Sequence, residues 1–197
     1  MDTAKWVHKY LNPGNLPAPV KLEKFSRRNL AKLFCTLGYR YGAEIGVEKG
    51  RYSTQLCLQN PGLHLLCVDA WVQYPGYIRA VTPDKFAYQM EITKERLAAY
   101  DVEIIRAFSM DAVRDVEPGS LDFVYIDGNH AFDYVMQDII EWARRVRPGG
   151  IVSGHDYYRF RGAGIVDAVN AYTYAHGIKE WFLTNESKAK SWFWVKR

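Results

Sequence analysis

A chain of 197 residues, 48% hydrophobic and 24% charged, has the size and balance of one soluble globular domain with a substantial core. Its formal net charge of +4, from 26 basic and 22 acidic side chains, is too small to imply nucleic acid, and no apolar run reaches membrane-spanning length. Cys35, Cys57 and Cys67 cannot all pair within one chain and lack C-x-x-C spacing, so they read as buried free thiols of a cytoplasmic protein, as does Met1 to Trp6, which lacks a signal-peptide core.

Residues 1–24 are expected to form an N-terminal arm, irregular where Pro13, Gly14, Pro17 and Pro19 crowd, ahead of a folded domain at 25–197. Phe25 to Leu37 predicts a helix with Leu30, Leu33, Phe34 and Leu37 on one face, closed by Gly38. Ala43 to Val47 reads as a strand that runs through Gly46 and Gly50 into a helix starting near Ser53. A strand that stops in glycines and turns into a helix brings backbone N–H groups and a helix N-terminus toward a ligand. The spacing is E-x-G-x-x-x-G, with Glu48 where a side chain would obstruct a pyrophosphate, which disfavours an NAD-binding domain. The carboxylate of Glu44 could instead pair with an ammonium group; the bland alternative is a tight turn with an incidental acid.

Leu63 to Asp69 is the next strand, and Asp69 stands about twenty residues after the glycine loop, where an acid reaches the ribose of a bound nucleoside. It could also be a simple turn former. After an irregular stretch, Ala70 to Thr82, a helix starts with Thr82 as N-cap and Pro83 at its first position, its core face being Phe86, Met90, Thr93, Leu97 and Tyr100. Val102 to Arg106 is a third strand; beyond it Ser109 or Asp111 could bond an adenine amine and Met110 cover the ring, or the segment is a helix cap with a core methionine. Leu121 to Ile126 is a fourth strand and ends in Asp127. The helix after it buries Val135, Ile139, Trp142 and Val146 and stops at Pro148-Gly149-Gly150, which feeds a fifth strand, Ile151 to Ser153. Another helix spans about Gly164 to Ala175, and Lys179 to Leu183 and Ser191 to Lys196 form two strands around a polar turn. The expected fold is α/β: a Rossmann-like, seven-stranded, mostly parallel sheet with the last strand antiparallel and helices on both faces.

The glycine segment, Ile126-Asp127-Gly128-Asn129-His130, the turn Pro148-Gly149-Gly150 and His155-Asp156-Tyr157 together resemble class I S-adenosylmethionine (SAM)-dependent methyltransferases. They are most similar to the small-molecule O-methyltransferase branch with I-D-G-x-H and H-D-Y motifs, which includes antibiotic sugar O-methyltransferases. The resemblance covers residues 25–196 and implies SAM as cofactor, contacted by Glu44, Gly46, Gly50, Ser53, Asp69, Ser109, Met110 and Asp127. It implies methyl transfer to a hydroxyl of a small molecule such as a sugar or secondary metabolite. Two rivals stay open: a SAM-binding protein without turnover, and an N-methyltransferase of a small molecule or RNA. The second lacks support, since no Asn/Asp-Pro-Pro-Tyr/Phe segment or basic stripe is present.

Asp127 and Asp156 end neighbouring strands, where two carboxylates could hold Mg2+. Related metal-dependent enzymes carry an acidic or amide pair at the second position, and His155 departs from that pattern. Either histidine could act as the base for the hydroxyl proton, with His130 slightly favoured over His155 and a carboxylate holding its orientation. Otherwise His130 is a helix cap and His155 a structural hydrogen bond. The lids Trp71 to Thr82 and Tyr157 to Gly164 offer Trp71, Tyr74, Tyr77, Tyr157, Tyr158 and Phe160 for stacking and Arg79, Arg159 and Arg161 for an anion, or simply cover the sheet edge. Trp181-Phe182 and Trp192-Phe193-Trp194 are expected to be core strands or the surface of a homodimer.

Overall fold

A computed structural model describes residues 2–74, 81–160 and 162–197; Tyr77, Arg79 and Arg161 lie outside them. The strands are β1 (Val20–Lys21), β2 (Tyr41–Ile45), β3 (His64–Asp69), β4 (Val102–Arg106), β5 (Leu121–Ile126), β6 (Val146–Gly154), β7 (Phe182–Leu183) and β8 (Trp192–Val195). They form a single sheet in the order β1-β7-β8-β6-β5-β2-β3-β4. Strand β8 runs antiparallel to both neighbours and all other pairs are parallel. The reversed last strand is as expected. Among the described residues the count is eight rather than seven, because Val20–Lys21, assigned to the arm, pairs with Phe182–Leu183 at the sheet edge.

The helices are α1 (Thr3–Leu11), α2 (Arg27–Thr36), α3 (Arg51–Gln59), α4 (Pro83–Leu97), α5 (Ser109–Ala112), α6 (Phe132–Arg145) and α7 (Ile165–Ala175). Helix α1 lies in the N-terminal arm, ahead of the Pro13 to Pro19 stretch expected to be irregular; Asp2 caps it by accepting from the Lys5 N–H at 3.2 Å, and Val7 is buried in the core. Ser26 and Asn29 close a capping box at the start of α2, which sends Leu30, Leu33 and Phe34 inward. Thr82 is the N-cap of α4, with Pro83 following, as the residue order predicted.

Successive β5 side chains alternate between two cores, as strand geometry requires. Phe123 and Tyr125 join α2 and α3 on one face, while Val124 and Ile126 join α6 and α7 on the other. The pairing of β5 with β6 jumps from Leu121↔Val146 to Phe123↔Ile151, so Pro148-Gly149-Gly150 is an irregularity inside β6. The expected stop between helix and strand is therefore absorbed by the strand itself, which begins at Val146. Trp181, Phe182 and Trp192 to Trp194 are all buried within the cores. The three thiols are free, but Cys35 is exposed, not buried. It sits on the outer side of α2, away from the Leu30, Leu33 and Phe34 stripe. No helix among the described residues is long and apolar enough to cross a membrane.

Candidate active site

The chain order reverses between β2 and β5, and a doubly wound sheet binds ligands at the carboxyl ends of its strands at such a switch point. There β2 ends at Ile45 and Gly46 takes a φ of +89°. A Cβ on Gly46 would lie 2.1 Å from the carbonyl oxygen of Asp127, so the two loops touch backbone to backbone. Gly50, at φ +68°, is the left-handed N-cap of α3. Between them the loop is pinned. The Val47 and Glu48 N–H groups both donate to Asp69 Oδ2 at 2.9 Å, and the Trp71 N–H donates to Oδ1 at 2.8 Å. Burial raises the Asp69 pKa, against the pull of these backbone donors. Trp71, expected in a lid, is instead buried and donates its indole N–H to the Glu48 carbonyl at 2.8 Å.

Glu44 and Ser53 lie beneath this loop and are bonded to each other, the hydroxyl donating to the carboxylate. Glu44 is 2% exposed, and burial pushes its pKa up to about 8 although the Ser53 hydroxyl opposes the rise. This pair ties the start of α3 to β2. Ser109 is similarly committed inward: its hydroxyl donates to buried Asp138 and accepts from the Trp142 indole N–H at 2.8 Å. Met110 packs at the margin of the core on the α6 side, and Asp111 is exposed.

Asp127, His130, His155 and Asp156 converge across the ends of β5 and β6. The Asp127 N–H donates to the Ile45 carbonyl at 2.7 Å and the His155 N–H to the Ile126 carbonyl at 2.9 Å, which fixes both loops to the sheet. His130 Nε2 lies 3.0 Å from Asp156 Oδ2 and 4.0 Å from Asp127 Oδ1. His155 Nδ1 lies 3.1 Å from Asp156 Oδ1 and 3.6 Å from Asp127 Oδ2. Asp156 adopts φ +56°, a left-handed conformation that an aspartate tolerates better than most residues. Burial works to lower the His130 pKa, but the hydrogen bonds and charges of Asp127 and Asp156 outweigh it and carry it to about 9. Burial likewise disfavours the Asp156 carboxylate, yet the two imidazoles hold it well below the usual carboxylate range.

Near this cluster, Phe160 meets His130 edge-on at 5.5 Å and stacks on Tyr158 at 4.5 Å. Arg159, expected to meet an anion, is paired with Asp167 at 2.8 Å, and the Tyr157 hydroxyl donates to Asn170 at 2.9 Å. A cavity of about 460 Å3 opens on the other side, beside His155, against the starts of α2 and α3. The first turn of α2 reaches the site itself. Arg27 lies over the Tyr52 ring at 4.5 Å, with Nη1 4.0 Å from Asp127 Oδ2. Sequence reasoning passed over Arg27 and Tyr52; only their places in the first turns of two helices, after Ser26 and Gly50, could have flagged them.

Residues 43–157 match the sequence profile of a family described as a methyltransferase domain. Among solved structures, the O-methyltransferase from Bacillus cereus in complex with SAH is 17% identical, with a TM-score of 0.64 covering 100% of this chain and 91% of that one. The O-methyltransferase TomG from Streptomyces achromogenes, involved in tomaymycin synthesis and solved with SAM, is 16% identical, with a TM-score of 0.59 covering 99% of this chain and 88% of that one. No curated protein matches the chain in sequence.

Proposed function

The chain belongs to the methyltransferase-domain family, and from that premise we propose that it is a SAM-dependent O-methyltransferase acting on a hydroxyl of a small molecule, of sugar or secondary-metabolite type. The observation that carries this reading is the contact of Gly46 with the Asp127 carbonyl, which brings together at the sheet's switch point the two loops that would cradle the cofactor. The Asp127 backbone already occupies the place of a Cβ at Gly46, so only glycine lets the loops after β2 and β5 close on each other there. The two O-methyltransferases solved with SAH and SAM share this architecture and support the cofactor assignment.

When bound, SAM would supply a sulfonium methyl group to the acceptor oxygen, its C–S bond breaking as the C–O bond forms. The chain's part is to hold the partners in line and to take the hydroxyl proton. Gly46 and Gly50 bring the loop backbone to the cofactor, while Glu44 with Ser53 braces the loop from below. Asp69 sets the loop through two N–H groups and stands at the end of β3, within reach of a ribose. Ser109 and Met110 border the adenine end, where Ser109 acts by positioning Asp138 and Trp142 rather than with a free hydroxyl.

His155 is the better proton acceptor of the two histidines. It lines the cavity, and its Nδ1 is oriented by Asp156 and Asp127. His130, with a pKa near 9, is already protonated at neutral pH and serves as the cation that fixes both carboxylates. Ligand atoms of Asp127, His130 and Asp156 lie within 4.8 Å of one another, so a divalent cation that displaced the His130 proton could take its place between the two carboxylates. A metal there would acidify the acceptor hydroxyl. The imidazole in the set suits Mn2+ or Zn2+ better than Mg2+.

Calorimetry with SAH tests the cofactor. The unaltered protein should bind it with micromolar affinity, and Asp69→Ala should weaken binding by about tenfold or more, the loss of a charge-assisted contact. An unaltered protein that gives no heat would sink the assignment. For the metal, activity on a discovered acceptor should collapse with chelator and return with added cation.

A further inference from the structure

The cavity beside His155 is walled by Arg27 and Arg28 from α2, Arg51 from α3, and Lys188 from the turn between β7 and β8, with Glu186 as its acidic member. Glu186 is already engaged, accepting from the Arg27 backbone N–H at 2.5 Å and from the Thr184 hydroxyl. Among the described residues, Arg28, Arg51 and Lys188 form no ion pair. The placement of the arginines is itself costly. Arg27 and Arg28 open α2, Arg51 opens α3, and neither first turn holds an acid. Cations at a helix N-terminus oppose the helix dipole, and like charges around one cavity repel. An anion in the cavity would reverse both penalties at once.

We propose that this cavity receives an oxyanion, a phosphate or a carboxylate, carried by the methyl acceptor, so that its hydroxyl is presented to His155. That the anion belongs to a methyl acceptor rests on the methyl-transfer reading; the anion preference rests on the cavity alone. Guanidinium forks match the planar geometry of carboxylate and the oxygens of phosphate. A volume of about 460 Å3 holds a ring with its charged substituent and exceeds what one amino-acid carboxylate of a cofactor would fill. Anchoring the charged end away from the reacting hydroxyl restricts the acceptor to orientations that transfer a methyl group. A neutral sugar would leave Arg28, Arg51 and Lys188 without a counter-charge.

Three probes on the full chain test this: phenyl phosphate, benzoate and phenol, titrated by calorimetry with and without saturating SAH. At least one anion should bind about tenfold more tightly than phenol, and the preference should shrink with added salt. Which anion binds better tells phosphate from carboxylate. The double variant Arg28→Ala/Arg51→Ala should lose about tenfold in anion affinity and none for phenol, with Lys188→Ala as a second, independent probe and melting curves to verify folding. Phenol binding as tightly as the anions overturns the proposal, as does undiminished anion affinity in folded variants. Displacement of the anion by SAH also overturns it, because the cations would then seat the cofactor. Failure of SAH to bind at all defeats the methyl-transfer reading instead, and is separable because the anion preference is read in its absence too.

Discussion

His130 and Asp156 form a pair in which each stabilises the other's charge, 3.0 Å apart across the ends of β5 and β6. The imidazole is carried from an ordinary 6.5 to about 9, so the stability it contributes is complete below about pH 6.5 and lost as the pH rises through about 9. In an NMR titration His130 should therefore still be protonated at neutral pH, and Asp156→Asn should bring its midpoint down toward 6.5. A wild-type midpoint at or below 6.5 would refute the cationic role. Asp138 also makes stability fall as pH rises, but because its neutral form is favoured. Burial raises it from 3.8 to about 7 despite the Ser109 hydroxyl, so it folds protonated while the unfolded chain ionises. Its burdened carboxylate makes stability fall from about pH 4 to about pH 7, and the buried Glu44, near 8, extends that fall. Asp138→Asn keeps an acceptor for Ser109 without the charge. Its melting temperature should exceed the parent's at pH 8 and lose that advantage at pH 5; a constant difference at both would mean that Asp138 does not titrate with folding.

At the scale of elements, legibility followed periodicity. Helix α6 repeats Val135, Ile139 and Trp142 on one face, and the expected stripe is the buried one. Strand β1 has two residues and no period to read; it exists because Val20 and Lys21 meet Phe182 and Leu183, a pairing far away in the chain. Helix α1 is short, and only Val7 is fully buried, with Trp6 and Leu11 packed partly against the core, so its apolar stripe spans barely two turns. In the site, strand-end acids were legible because a polar residue closing an apolar run is conspicuous. What Ser53, Ser109 and Trp71 bond was not, since their partners come from other elements. If α1 is an integral part of the domain, Val7→Ala should cost about 2 kcal/mol through lost burial and a cavity, read as a lower urea midpoint with SAH affinity unchanged. An unaltered midpoint would return residues 1–24 to the status of a dispensable arm.

At the scale of the whole molecule, the sheet is two halves joined where β2 lies beside β5, and the site is made of what projects from that seam. Gly46 belongs to one half and Asp127 to the other, and their backbones are in contact. The Asp127 N–H also donates to the Ile45 carbonyl, while the Gly46 N–H donates to the Val68 carbonyl, so displacing either loop moves the ends of β2, β3 and β5 together. Gly46→Ala would drive a methyl group to 2.1 Å from the Asp127 carbonyl and strain a backbone held at φ +89°. Gly177, at φ +60° with nothing within 4 Å of an added methyl group, supplies the comparison. Gly177→Ala should cost only the left-handed strain, about 1 kcal/mol, and leave SAH binding intact. Gly46→Ala should lower the melting temperature further and weaken SAH binding by about a hundredfold, because the clash can be relieved only by parting the two loops that form the cradle. Equal behaviour of the two variants in melting and calorimetry would mean that the seam has slack. The loop contact would then be a packing detail, and cofactor binding would have to be sought elsewhere along the strand ends.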